Sequence, residues 1–508
     1  MEMNLKPAMI FKDHMVLQSE KQIPIWGTGK EGSTVTVSIL GKQATTVVTD
    51  GNWKVSIPPL SVSEGAVMVI TSEEDAITIQ DVAIGEVWLA GGQSNMEFFL
   101  RYDAEHDEAV EKGENPLIRF FDYPKVAFEG QLEMEDYSEF GFWRECTKEN
   151  MDYYSAVGYY FASKLQKQYQ VPIGIVGCNW GGTTSSCWMG EEYLKDNEGK
   201  VWLDDYEAAI KDLDLNNYEK EYANNPLNHR GKVFGNPLEE GLLRGLEKED
   251  LMEMAKQIEL HGKSIIPAMG PKNAWRPCGL YRSMLKKVAP YAIRGVIWYQ
   301  GESDDIHASV YATVFSNMIR CWRDLWSEEI PFLFVQLAAL RWWFIGNIPQ
   351  YPIVRTQQEW VSKHIPNTWM ASITDAGMEW DVHPKKKRPV GERLALLARG
   401  HIYGEEILCD APECKGISVE DGQIKLEFLY ADGGLTLIGD QIQALEILRN
   451  GQEILTFDAV ISDNCIIIKS DELKVIDKIQ VKFASTEYYE VNIYNAAGIP
   501  MKPFVIEN

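Results

Sequence analysis

Four short blocks of this chain combine residue types suited to acyl-transfer chemistry. Gly91-Gly92-Gln93-Ser94-Asn95-Met96 offers a hydroxyl, and Gly177-Cys178-Asn179-Trp180-Gly181-Gly182-Thr183 offers a glycine pair. Gln300-Gly301-Glu302-Ser303-Asp304 offers an amide with acidic groups, and Asp375-Ala376-Gly377 leads to Asp381-Val382-His383-Pro384, an Asp/His pair. Together these are a nucleophile, oxyanion donors, a base and an orienting carboxylate, the parts of a hydrolytic serine site. Each part also has an ordinary structural role. Ser94 would serve as a helix N-cap, the glycine pair as a tight turn, and Gln300 as a hydrogen-bonded structural amide. Most of the eight histidines would be satisfied surface or core residues.

The elements that must position these blocks are legible as short apolar runs at 86–90, 171–176, 293–299, 331–337 and 369–374. Four of the five are followed directly by one of the blocks. Helical patterns lie between several of them, at 155–168, 310–326 and 353–364, and a last helix at 390–403 follows the fifth. Unalternated apolar strands interleaved with helices predict a parallel sheet covered on both faces, and such sheets bind ligands at the strands' carboxyl ends. Residues 191–275 interrupt this rhythm with charged stretches and read as a helical insertion at the sheet's rim. Residues 1–82 read as a β-rich domain with strands at 23–26, 34–39, 44–49, 53–57, 66–71 and 76–82, separated by turns such as Asp50-Gly51-Asn52. From 405 to 508 strands return, at 416–419, 423–428, 435–438, 444–448, 465–469, 478–483 and 491–494. The expected organisation is thus 1–82, a catalytic 83–404, and 405–508.

Composition narrows the functions. The chain has 508 residues, and 49 Lys plus Arg against 75 Asp plus Glu give a net charge of −26, which disfavours nucleic-acid and membrane partners. Sixteen Trp and 22 Tyr supply rings of the kind that line sugar sites. The opening segment has no secretory pattern, and the eight Cys show no CxxC spacing and read as reduced and mostly buried, so a cytoplasmic location is expected. Cys409 and Cys414 would hold a metal only with partners the sequence does not identify. Glu302, Asp304, Asp305 and His307 lack a recognised ligand spacing, and Gly27-Thr28-Gly29-Lys30-Glu31-Gly32 precedes a strand where a dinucleotide site needs a helix. Neither metal nor organic cofactor is expected, and assembly into a homo-oligomer is left open.

Gly92-Gln93-Ser94-Asn95-Met96, Trp180-Gly181-Gly182-Thr183, Trp298-Tyr299-Gln300-Gly301-Glu302-Ser303 and Asp381-Val382-His383-Pro384 occur in the order found in sialate O-acetylesterase-like proteins of the SGNH (GDSL-type) hydrolase superfamily. Phe11-Lys12-Asp13-His14-Met15-Val16-Leu17-Gln18 and Val491-Asn492-Ile493-Tyr494-Asn495 look like the family's terminal β-regions, so the resemblance covers nearly the whole chain. It implies a flavodoxin-like α/β/α sandwich with a parallel sheet, flanked by N- and C-terminal β-sandwich-type regions. It further implies hydrolysis of sugar O-acetyl esters.

Within that resemblance Ser94 is the nucleophile and His383 the general base, with His307 as its rival. Ser94 and Gly182 offer backbone N–H groups to the oxyanion, with Gly181 as the neighbouring alternative. The superfamily usually supplies an Asn as third donor in a G-x-N-D block; here Gln300 is the substitute. Many members show Asp-x-x-His, whereas here Trp380 occupies that position and Asp381 stands two residues before His383. Asp381 is taken as the orienting acid and Glu302 as its rival. Gln93, Asn95, Trp180 and Trp380 are expected to contact substrate. Trp188, Trp275, Trp342 and Trp343 also lie near strand ends or rim loops, and Trp298 reads as core. Lys385-Lys386-Lys387-Arg388 would draw a sugar carboxylate or form a solvated loop, the second reading being preferred. Acetylated sialic acid and acetylated xylan, xyloglucan or mannan fragments are the expected substrates. The alternative is a catalytically silent glycan-binding protein that uses its β-domains. Lipase activity is disfavoured by the acidic surface.

Overall fold

The computed structural model describes residues 5–235, 237–245, 248–250, 252–253, 256, 267–342, 349–420, 422–475 and 477–508. The chain divides into two compact units. The first takes in the chain as far as Arg244, the segment ending at Gln300, and Thr313–Phe332; the second contains Gly301–Ala312 and Leu333–Asn508 together with Gly245 and described residues after it.

In the first unit, strand Asn52–Ile57 buries Trp53, Val55 and Ile57 and exposes the residues between, the period-2 pattern of a sheet with one wet face. It pairs antiparallel with Ile23–Thr28, and Thr34–Ile39 pairs with Lys42–Val47 and Ser63–Thr71. The next strand, Ala76–Gly92, joins two architectures. Its first half pairs antiparallel with Ser63–Thr71, and its second half, buried without interruption, enters the central sheet. The boundary expected at 82/83 therefore falls inside one strand of 17 residues. Glu86–Gly92 runs parallel to Ile173–Asn179, and Gly295–Tyr299 lies parallel on its other side. All of Ile173–Asn179 and Gly295–Tyr299 is buried, as a parallel sheet covered on both faces requires.

Two strands of this sheet escaped the sequence reading. Asn115–Asp122 lies parallel to Ile173–Asn179, and Trp143–Cys146 pairs antiparallel beyond it. Pro116 and Arg119 break the apolar run of the first, but Arg119 is buried because its guanidinium donates to the His14 and Asp81 carbonyls. Helix Ala156–Tyr169 starts where expected, with Ser155 accepting from the Gly158 N–H at 3.1 Å as an N-cap. The expected insertion holds helices Lys200–Ile210 and Leu215–Asn224; parts of its later half lie outside the described residues.

In the second unit, the Gln336 N–H donates to the Ala371 carbonyl, joining the segments of strands Phe332–Val335 and Thr368–Ala371. Helices Tyr351–His364 and Arg388–Leu397 follow the expected positions, and the latter ends in a π-helical turn, Ala398–Ile402. The C-terminal strands form antiparallel sheets around a core that includes Ile424, Leu426, Phe428, Ile447, Ile466 and Val481. Strand Cys465–Lys469 has the expected bounds, whereas Asp458–Ser462 and Phe504–Glu507 were not expected. This β-region is tied to the helical part of its own unit. The Arg355 guanidinium donates to the Thr486 carbonyl, Lys502 pairs with Glu359 at 2.9 Å, and Thr374 Oγ1 donates to the Met501 carbonyl at 2.9 Å. Seven of the eight cysteines are buried, all eight are thiols, and among the described residues no helix is long and apolar enough to cross a membrane.

Candidate active site

Ser94 follows directly on the end of strand Ala76–Gly92. Gly92 adopts φ +135°, and a Cβ there would lie 2.1 Å from the Tyr299 carbonyl oxygen, so only glycine lets the two strands close up at this point. The Gln93 N–H donates to that same carbonyl at 3.1 Å. Ser94 then opens a one-turn helix, Ser94–Glu97, whose N-cap is Gln93, so Ser94 is not the capping residue. Within 91–100 every residue except Ser94 is buried, including Gln93 and Asn95. Ser94 is thus the half-buried residue of an otherwise buried turn.

Against Ser94 lies the turn that follows strand Ile173–Asn179. A Cβ on Gly181 would stand 3.3 Å from the Ser94 Cβ. The Gly181 N–H donates to Glu97 Oε2 at 2.8 Å and is therefore engaged, whereas the Gly182 N–H makes no hydrogen bond among the described residues. Gly182 has φ +75°, and Trp275, whose indole N–H donates to the Gly181 carbonyl at 3.0 Å, covers the place a Cβ would take. Of the two glycines, Gly182 is the one with a donor to offer. Gln300 is fully buried: its Oε1 accepts from Ser185 Oγ at 2.8 Å, and one amide hydrogen goes to the Thr183 carbonyl at 3.2 Å.

The sequence reading missed the ionic cluster beneath this turn. Glu97 is buried with Arg230, which donates to its Oε1 at 2.6 Å, and with Lys125 at 3.7 Å. Burial alone would raise the Glu97 carboxyl, but the Lys125 and Arg230 charges and the Gly181 N–H outweigh it and hold the group below the ordinary carboxylate range. Asp122, 3.5 Å from Lys125, moves the other way, because burial and the Glu97 charge outweigh that cation. The available signal was a glutamate inside the apolar run Met96-Glu97-Phe98-Phe99-Leu100, a position that calls for a buried partner. Arg230 also stands over the Trp180 ring at 5.6 Å, and Trp180 is only 3% exposed, which leaves that ring little face for a sugar.

The segment that carries His383 belongs to the second unit. Asp381 and His383 are both buried, and the His383 backbone N–H donates to Asp381 Oδ1 at 2.8 Å. The imidazole Nδ1 is 3.9 Å from the same oxygen, beyond hydrogen-bond length. Lys385 Nζ pairs with Asp381 Oδ2 at 3.0 Å; burial lowers the affinity of this amine for its proton although Asp381 opposes the shift. Lys387 is also buried, and of the Lys385-Lys386-Lys387-Arg388 quartet only Lys386 is exposed, so most of it is not the solvated loop expected. Trp380 is half-buried with Lys248 over its ring at 5.1 Å. Glu302, buried, begins a 3₁₀ stretch after Gly301, and His307 sits at a kink within it. Asp375 is held by both nitrogens of Arg393, at 2.6 and 2.7 Å. Trp188 and Trp298 are core residues, and Trp343 lies outside the described residues.

The family described as carbohydrate esterase, sialic acid-specific acetylesterase, matches residues 256–398. The mouse sialate O-acetylesterase is 27% identical over 89% of this chain and 81% of its own length, and the human one 24% identical over 79% and 72%. The crystal structure of a carbohydrate acetylesterase from Xanthomonas citri superposes with a TM-score of 0.75 at 28% identity, covering 99% of each chain. The α/β fold and these likenesses define an ester hydrolase of the SGNH-like type. More particularly, the chain is similar to sialate O-acetylesterases and to a carbohydrate acetylesterase.

Proposed function

We propose that this protein removes acetyl groups from sugar hydroxyls through an acetyl-enzyme formed on Ser94. In this reading His383 takes the Ser94 hydroxyl proton as Oγ attacks the acetyl carbonyl carbon. The displaced electron pair collects on the carbonyl oxygen, which the Ser94 and Gly182 backbone N–H groups and the Gln300 amide stabilise. Collapse breaks the bond to the sugar oxygen, which receives the proton from His383. Water, deprotonated in turn by His383, releases acetate and restores Ser94. Asp381 orients His383, with Glu302 as the competing acid.

The observation that carries this reading is the half-buried Ser94 packed against a turn whose Gly181 N–H is engaged by Glu97. Ser94→Ala is expected to lower acetate release by at least about 10⁴-fold while leaving the melting temperature unchanged, and rapid-quench mass spectrometry of the wild type to find acetyl on Ser94. Undiminished ester turnover in that variant would reject the assignment.

For the substrate, the relatives' names point to acetylated sialic acid and to acetylated carbohydrate more broadly. Acetate release from acetylated sialic acids and from acetylated xylo-oligosaccharides, manno-oligosaccharides and xyloglucan fragments would rank them. Trp275, half-buried over Gly182, and Trp380 are the rings we expect against the sugar. A cytoplasmic location is supported by the eight thiols, and cell fractionation tests it.

A further inference from the structure

We propose that His401, Cys409 and Asp410 form a binding site for a zinc ion. In this structure Cys409 Sγ is 3.5 Å from His401 Nε2 and 3.6 Å from Asp410 Oδ2, and His401 Nε2 is 2.9 Å from Asp410 Oδ2. With Zn–S about 2.3 Å and Zn–N and Zn–O about 2.1 Å, the edges of a tetrahedron are about 3.6 Å for S···N and for S···O and about 3.4 Å for N···O. Both sulfur edges are already close to those lengths, and only the nitrogen–oxygen edge has to open, by roughly half an ångström. Imidazole, thiolate and carboxylate together are a donor set for zinc, not for magnesium or calcium, which take oxygen ligands.

Three separate devices hold the donors in this arrangement. His401 lies in the π-helical turn Ala398–Ile402, an irregularity that often marks a functional position, and Trp369 stacks on its ring at 4.8 Å with the planes 14° apart. Cys409 reaches the histidine only because residue 400 is glycine, since a Cβ there would stand 2.4 Å from Sγ. The Asp410 carbonyl accepts from Asn495 Nδ2 at 2.9 Å, which anchors its backbone to the C-terminal strands. The side chains of His401 and Asp410 are 26% and 23% exposed, so solvent reaches the cluster and supplies the fourth ligand. On binding, the thiol proton leaves to solvent and the sulfur donates as thiolate. The site differs from the cysteine pairing that the sequence brought to mind: Cys414 turns instead to the Gly416 carbonyl.

The experiment is a titration of the chelator-treated full-length protein with cobalt(II), a spectroscopic substitute for zinc. A thiolate-to-cobalt charge-transfer band should rise to one equivalent and vanish on adding zinc. It should be lost in Cys409→Ser and retained in Cys414→Ser, and His401→Gln should weaken binding by more than the roughly 10–100-fold of an outer-shell change. Zinc should raise the melting temperature of the wild type and leave that of Cys409→Ser unmoved. A wild-type titration without the band, or a band that persists in Cys409→Ser, overturns the proposal and leaves a hydrogen-bonded triad.

Discussion

A methyl group at Gly182 would stand 3.0 Å from the Trp275 indole nitrogen, on a backbone of φ +75°. Gly182→Ala is therefore expected to cost about 1–2 kcal/mol of stability for the left-handed residue, and about 10²–10³ in kcat if its N–H is an oxyanion donor. Thermal melts and acetate release on one preparation separate the two effects. At His383 the question is which carboxylate orients the ring. Asp381→Asn keeps an oxygen for the His383 backbone N–H but removes the charge, and should lower kcat by about 10⁴, with Glu302→Gln much milder. Equal rates in the two variants would refute the triad. The strand ends that carry Ser94 and the glycine pair were legible because each follows an apolar run directly. The partner of Gly181 was not, since Glu97, Lys125 and Arg230 come from three distant segments and a lone charge in a sequence reads as surface.

The one-turn helix Ser94–Glu97 carries the half-buried serine and the buried carboxylate at its two ends, so the proposed nucleophile and the ionic cluster share one element. Glu97→Gln would leave Lys125 and Arg230 without their anion, at an expected cost of about 3–5 kcal/mol in denaturant unfolding. The pH dependence has a definite sign. The Glu97 carboxyl is held below its ordinary 4.5, so its contribution is present above that pH and is lost as pH falls through the lower folded value. Asp122, raised from 3.8, acts oppositely: its cost grows as pH rises past 3.8 toward its folded value. In Glu97→Gln the stability lost by the wild type below pH 4.5 should shrink, read as melting temperature against pH. The alternating strand Thr34–Ile39 and the apolar run Cys465–Lys469 were legible to the residue. Asn115–Asp122 was not, because a buried arginine that satisfies distant carbonyls looks like a break in the strand.

At the scale of the whole molecule, three regions were legible from composition and rhythm, but not their allegiance. The C-terminal β-region shares a unit with helix Tyr351–His364, bound through Arg355, Lys502 and Thr374. A chain ending at residue 404 is accordingly expected to yield no soluble folded protein, whereas a truly separate domain would leave a cooperative melt behind. Such long-range allegiance depends on side chains meeting across more than a hundred residues, which no local pattern encodes.

Strand Ala76–Gly92 carries a mechanical consequence. Its 17 residues run from the N-terminal sheets to the residue before Gln93, with a bulge where Asp81 takes φ +51°. An appended sugar-binding module on a flexible tether can swing, be trimmed or be exchanged. Here the leading β-region shares one strand with the residues that run up to Ser94, so sliding it by one position would turn inward-facing residues outward along that strand. This portion of the molecule can be inherited with Ser94 or lost with it, but not shuffled independently.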